Sequence, residues 1–136
     1  MADGAEASGV RALRVLVFVI GLGEFLTSIL LLFFYNEYKR IFGLPPGFDN
    51  YYIQQIGMFQ FLVGSSILIG SRQVENPLVS RFALYFNIVS IAFWIYFLAS
   101  GMQQGELFHD TVIGFLVYHT IMTVALIVLR RRAGVA

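Results

Sequence analysis

The stretch VLVFVIGLGEFLTSILLLFF, residues 15–34, decides the fold, because it is a run of almost continuous apolar side chains. An α-helix needs about 20 apolar residues to cross a hydrocarbon core of about 30 Å. The stretch contains one ionisable residue, Glu24, near its middle. It therefore predicts a membrane-spanning helix with an acid at the depth where a charge is most costly.

The composition of the whole chain indicates an integral membrane protein. Hydrophobic residues make up 58% of the 136 residues and charged residues 12%, and the mean hydropathy is +0.76. Soluble domains carry about 25% charged residues, so this chain has too few polar groups to cover a water-facing surface. The net charge of +1, with dispersed positive residues, argues against nucleic-acid binding. The lack of cysteine excludes disulfides, iron–sulfur ligation and cysteine nucleophiles.

Four segments are long and apolar enough to span a bilayer. We predict an all-α integral membrane protein, an antiparallel four-helix bundle, with spans at about 12–35, 52–70, 79–100 and 108–129. These spans form a single domain over residues 11–132, between a disordered tail at 1–10 and a short C-terminal tail at 133–136. The first span is too long for the core of a signal peptide and no cleavage site follows it, so we expect it to be retained.

The distribution of positive charge predicts the orientation of the spans. An even number of spans places both termini on one side, which holds most of the positive residues: Arg11, Arg14, Arg72, Arg81, Arg130, Arg131 and Arg132. The other side holds Lys39 and Arg40, so both termini are predicted to be cytoplasmic. We expect a multi-pass protein of the bacterial cytoplasmic (inner) membrane.

The outer linker YNEYKRIFGLPPGFDN, residues 35–50, is the longest connection between predicted spans. Its first part, as far as Phe42, is expected to continue the first helix or to lie on the membrane surface. Gly43 and the prolines at 45 and 46 are expected to end it, because proline lacks an amide donor and restricts the residue before it.

Each predicted span carries a stripe of small or polar residues at helical spacing. The four stripes are Gly21, Glu24 and Ser28; Gly57, Gln60 and Gly64; Asn87, Ser90 and Trp94; and Phe115, His119 and Thr123. We predict that Glu24, Gln60, Asn87 and His119 point inward and form an intramembrane polar cluster that binds a proton or a ligand. The alternative is a structural role for these residues. The glycines would then let the helices pack closely, and the side chains that form hydrogen bonds between helices would be Gln60, Asn87, Ser90 and Thr123.

Glu24 is the strongest functional candidate, because an ionisable residue at the bilayer centre marks a functional site by default. Desolvation favours the neutral form of its carboxyl. Counting residues from the ends of the spans places Glu24 and His119 at similar depth on antiparallel helices. We therefore predict a Glu24–His119 pair, while a purely structural hydrogen bond from Glu24 to Gln60 or His119 stays open.

Other chemistry is sparse. Asp49, Tyr52, Gln55 and Glu106 are candidates for a site at the outer rim, although a solvated rim is the favoured explanation. His109 and His119 lie ten residues, or about 15 Å, apart on one helix, so they cannot share one haem iron. No cofactor, metal site or catalytic residue is predicted, and a single-ligand haem or pigment at His119 is the alternative.

The first predicted helix opens with ALRVL, the outer loop reads GLPPGFDNYY, the second predicted helix reads IGMFQFLVGSSILIGSR, and two further apolar helices end in arginines. In these features the chain resembles the DoxX-like group of small four-helix bacterial membrane proteins. The resemblance implies an accessory or anchor role, which in some members accompanies membrane oxidoreductases that deliver electrons to quinones.

The chain is also similar to small multidrug transporters, which have four helices and a membrane-embedded Glu in the first. It departs from them in its long outer linker, its charge asymmetry and its third helix, which is not rich in Trp and Gly.

Three function classes stay open. The first is an accessory or anchor subunit without catalytic activity, which could be linked to redox or quinone chemistry. The second is a proton-coupled transporter or ligand-binding protein that uses Glu24. The third and less favoured class is an enzyme acting on a lipid or quinone. The expected partners are the lipid bilayer and either other membrane subunits or a second copy of the chain.

Overall fold

A computed structural model describes residues 2–44, 49–100 and 106–135, with the backbone alone for residues 2–6. These residues form five α-helices, α1 (Ala2–Phe33), α2 (Tyr35–Phe42), α3 (Asn50–Gly70), α4 (Pro77–Ala99) and α5 (Glu106–Arg132), and a 3₁₀ turn at Ser71–Gln73. No strand occurs among them. Four helical segments are long and apolar enough to cross a membrane, namely Ala7–Phe33, Asn50–Gln73, Pro77–Ala99 and Glu106–Arg132. The prediction of an all-helical chain with four apolar, span-length helices is confirmed.

Local sequence explains where the helices begin and end. The side chains of Asp49 and Asn76 accept hydrogen bonds from backbone N–H groups two residues further on, which caps α3 and α4. Gly43 ends α2 with φ +68°, a left-handed conformation that glycine adopts without strain. The predicted end at Phe42 is therefore confirmed, while the predicted role of the prolines at 45 and 46 lies outside the described residues.

The helix α1 extends further toward the N-terminus than we predicted. The structure continues it back to Ala2, through the segment 1–10 that was expected to be a disordered tail. In this segment α1 comes into backbone contact with α5, since a Cβ on Gly9 would lie 2.7 Å from the carbonyl oxygen of Arg132. Ala133 and Val135, in the predicted C-terminal tail, are buried in the apolar cluster at this end.

The central helix is α1. It packs most extensively against α3 and also against α5, which in turn packs against α4, whereas α3 and α4 touch little. Glycines bring α1 and α3 into backbone contact, because a Cβ on Gly64 would lie 2.6 Å from the amide nitrogen of Phe25. A Cβ on Gly57 would lie 2.8 Å from the Cβ atom of Leu31 on α1. The predicted packing role of Gly57 and Gly64 is thus confirmed, and the pairing order shows that α1 and α3 run in opposite directions.

The apolar core is continuous at one end of the helices and divided at the other. At the end where Gly9 meets Arg132, buried side chains from α1, α3, α4 and α5 form one cluster. Toward α2 there are two smaller clusters, one of Leu31, Tyr38 and Ile53 and one of Phe97, Phe108 and Val112. The short helix α2 breaks from α1 at Phe34 and covers this end, with Tyr38 buried. The division of the core leaves room for a cavity.

Candidate functional site

A cavity of about 640 Å³ lies at the divided end of the core, with walls from all five helices. Most of its lining is apolar, and eight of the lining residues are Phe, Tyr or Trp: Tyr38, Phe42, Phe93, Trp94, Phe97, Phe108, Phe115 and Tyr118. Trp94 is the single tryptophan of the chain, and it stacks on Phe115 with ring centroids 4.9 Å apart. This size and lining are typical of pockets for small molecules.

Glu24 contributes the carboxyl of the cavity wall. Its side chain is 4% exposed, and the amide nitrogen Nε2 of Gln60 donates a hydrogen bond to its Oε2 at 2.5 Å. The other oxygen, Oε1, has no hydrogen-bond partner among the described residues. Buried polar atoms in proteins are nearly always paired with protein or water. An unpaired carboxyl oxygen beside a cavity therefore suits a polar group of a bound molecule.

His119 also lines the cavity, and a buried asparagine fixes its ring. Asn87 donates from Nδ2 to the carbonyl oxygen of Ala83 at 2.8 Å, so its Oδ1 is the atom that faces His119 Nδ1, 2.9 Å away. Because Oδ1 can only accept, Nδ1 carries the proton and donates it. In a neutral ring the second nitrogen, Nε2, is then an acceptor, and it has no hydrogen-bond partner among the described residues.

The predicted direct pair of Glu24 with His119 is not among the hydrogen bonds of the described residues. Glu24 bonds instead to Gln60, and His119 to Asn87, although both Glu24 and His119 line the same cavity. Counting depth along the helices gives the height of each residue but not its lateral neighbour. Since α1 packs chiefly on α3 and α5 on α4, each residue takes its partner from the helix nearest to it.

Two other polar residues of the predicted stripes do not bond between helices. Ser90 donates to the carbonyl oxygen of Phe86 in its own helix at 2.9 Å. The buried hydroxyl of Thr123 has no partner among the described residues. The cross-helix hydrogen bonds of the polar stripes are therefore made by Gln60 and Asn87, whose longer side chains reach a neighbouring helix.

Two tyrosines that the sequence analysis did not select complete the polar part of the cavity. Tyr38 on α2 is buried, and burial together with the charge of Glu24 raises the pKa of its phenol, which therefore stays protonated. Tyr118 on α5 lines the cavity next to His119. A tyrosine just beyond a predicted span is typical of the aromatic belt at the membrane surface, and the burial of Tyr38 becomes apparent only from the position of α2 over the end of the long helices.

The outer-rim candidates lie outside this cavity. Asp49, Tyr52, Gln55 and Glu106 are all exposed, and none of them lines its wall. Asp49 serves as the cap of α3. A binding role for these four residues stays a prediction.

No known protein family, curated protein or solved structure matches this chain. Within the described part of the chain, no group of three or more His, Asp and Glu side chains could hold a metal ion. The cavity and its polar atoms are therefore the basis for a functional interpretation.

Proposed function

We propose that this chain is a multi-pass membrane protein that binds a small amphipathic molecule within the bilayer, with Glu24 as its polar anchor. The observation that carries the proposal is the cavity of about 640 Å³ whose wall includes a buried carboxyl with an unpaired oxygen. Ligand sites combine apolar walls with a few polar groups that fix the orientation of the ligand. Buried carboxyl oxygens are nearly always paired with protein or water, so an oxygen without a protein partner beside a cavity is available to a polar group of a ligand.

Around this site we propose an antiparallel four-helix bundle with both termini in the cytoplasm of a bacterial cell. The positive-inside bias supports the orientation. The contact of Gly9 with Arg132 brings the arginines of α1 and α5 to one end, and Arg14 bonds there to Glu75 in the turn before α4. Lys39 and Arg40 belong to α2 at the opposite end.

The accessory or anchor role implied by the DoxX-like resemblance is the competing proposal. It requires the same helices but no ligand in the cavity, and it predicts stable co-purification with other membrane chains. Proton-coupled transport would use the same cavity and Glu24, so ligand binding is the property to test before transport.

The test uses the neutral fluorophore 1-aminoanthracene and the intrinsic fluorescence of Trp94. Because Trp94 is the single tryptophan and lines the cavity, energy transfer from it reports a probe at this site. The protein is reconstituted in vesicles of zwitterionic lipid, which add no tryptophan, and the probe is titrated. We expect saturable transfer with one probe per chain, above the linear background of probe dissolved in lipid.

A pair of variants on α5 locates the binding. Gly114 lines the cavity and a Cβ there would meet no atom within 4 Å, so Gly114→Phe can fill the space without a clash. Val117 is 52% exposed and does not line the cavity, so Val117→Phe is the matched control. We expect saturable transfer to be lost in Gly114→Phe and kept in Val117→Phe. Transfer that is linear in wild type, or equal in all three proteins, would overturn the proposal.

A further inference from the structure

The charge and polarity of the cavity wall indicate which ligands it accepts. None of the described residues that line the cavity is Lys or Arg, whereas Glu24 supplies a carboxyl. Two polar atoms of lining residues, the acidic oxygen Glu24 Oε1 and the basic ring nitrogen His119 Nε2, have no hydrogen-bond partner among the described residues. A molecule that brings N–H donors or a positive charge would satisfy both.

The aromatic rings of the cavity wall, like the carboxyl, favour a positively charged ligand. The faces of Phe, Tyr and Trp rings carry negative electrostatic potential and attract organic cations, most strongly where water is excluded. Trp94 and Phe115 are stacked, and Phe42 lies 5.4 Å from Phe115 between ring centroids. Tyr38 and Tyr118 line the same cavity as Glu24. The carboxyl and the rings thus surround one shared space.

We infer that the cavity selects lipophilic organic cations, molecules with an ammonium group on an apolar body, over neutral and anionic molecules of the same shape. The ammonium group contacts Glu24 Oε1, while the apolar body packs between the rings of α4 and α5. This inference rests on the proposed function, since it names the ligand class of the same cavity. A bound cation also supplies the counter-charge that an isolated carboxylate inside a membrane lacks.

The test compares three ligands that share an adamantyl body and differ in the head group. They are 1-adamantylmethylammonium, 1-adamantylmethanol and 1-adamantanecarboxylate, each used to displace 1-aminoanthracene from the wild-type protein in vesicles of zwitterionic lipid. Opposite charges attract strongly where water is scarce, and rings add to the attraction, so we expect the ammonium to displace the probe at about tenfold lower concentration than the alcohol. The carboxylate is expected to be the weakest of the three.

Two variants that remove one negative charge each locate the origin of the preference. Glu24→Gln keeps the shape of the side chain in the cavity, whereas Glu37→Gln removes an exposed carboxyl of α2 that does not line it. We expect the ammonium-to-alcohol preference to fall to about twofold or less in Glu24→Gln and to persist in Glu37→Gln.

The outcomes separate this inference from the proposed function. If 1-aminoanthracene shows no saturable site in wild type, the binding function itself fails. If the probe binds saturably but the alcohol equals or exceeds the ammonium, the binding function stands and the cation preference is overturned. If Glu24→Gln folds and still prefers the ammonium over the alcohol, the inferred role of Glu24 in cation selection is also overturned. If Glu24→Gln does not fold, the order in which the three ligands displace the probe from the wild-type protein decides whether the cavity prefers cations.

Discussion

The amide of Gln60 on α3 donates a hydrogen bond to the carboxyl of Glu24 on α1, so the acid in the middle of the first span is held by the helix that packs most extensively against it. The bond engages Oε2, and Oε1 of this cavity-lining side chain has no hydrogen-bond partner among the described residues. One oxygen therefore joins two helices, and the other is available for a ligand. This division explains how a single glutamate can serve both structure and binding.

Removing the amide of Gln60 should lower the free energy of unfolding mainly when the carboxyl of Glu24 is present. Hydrogen bonds between membrane helices contribute about 0.6–2 kcal/mol, so we expect Gln60→Leu to lower the free energy of unfolding by about that amount. In a Glu24→Leu background the same substitution should cost much less, because no carboxyl is left unpaired. Denaturant unfolding in micelles measures both. An equal cost in the two backgrounds would show that the bond contributes nothing.

Alanine at two glycines should have opposite effects on stability. A Cβ on Gly64 would lie 2.6 Å from a backbone nitrogen of α1, so Gly64→Ala must push α1 and α3 apart, at a cost of about 1–3 kcal/mol. At Gly114 a Cβ meets open space, and alanine should be neutral or stabilising by up to about 1 kcal/mol. Thermal unfolding of the two variants side by side tests this. Similar melting temperatures would contradict the close approach of α1 and α3.

The tautomer of His119 is a direct consequence of its bond to Asn87. We expect nitrogen-15 NMR of labelled histidine to show the proton on Nδ1 of His119, because Asn87 Oδ1 accepts there. In Asn87→Leu the signal should move toward the mixture of tautomers typical of a free imidazole. His109, which is exposed, is the internal control in the same spectrum. A proton on Nε2 in the wild-type protein would rule out the bond as described.

The orientation of the chain can be tested by labelling introduced cysteines, and no other thiol of the chain adds background because the sequence has no cysteine. Single substitutions Glu75→Cys and Glu37→Cys place exposed thiols at opposite ends of the helices. We expect a membrane-impermeant maleimide added to intact cells to label the thiol at position 37 and to spare position 75 until the membrane is opened. The reverse pattern would place the termini outside the cytoplasm.

The four spans could be predicted from sequence because each needs only length and hydropathy. The inward positions of Glu24, Asn87 and His119, which are all buried, follow from the 3.6-residue period of the helix. The partner of Glu24 could not be predicted, since depth along an axis does not say which helix is the lateral neighbour. The choice of Gln60 over His119 depends on the tight glycine contact between α1 and α3, which is a property of the packed pair.

The cavity was likewise hidden in the sequence, because an empty volume is defined by side chains from five separate helices. Tyr38 illustrates the difficulty: at the end of a span a tyrosine is typical of the headgroup belt. Its burial depends on the break at Phe34, where the chain turns to place α2 over the end of the long helices. The continuation of α1 back to Ala2 is likewise not apparent from composition, and the close contact of Gly9 with Arg132 is a property of the packed helices.

The most direct test of the central claim is an infrared difference spectrum recorded when the tightest-binding adamantyl ligand is added to the protein. If Glu24 anchors the ligand, the spectrum should contain a carboxyl or carboxylate band that changes on binding in wild type and is missing in Glu24→Gln. Binding with no change in any carboxyl band, or with the same band change in both proteins, would contradict the account.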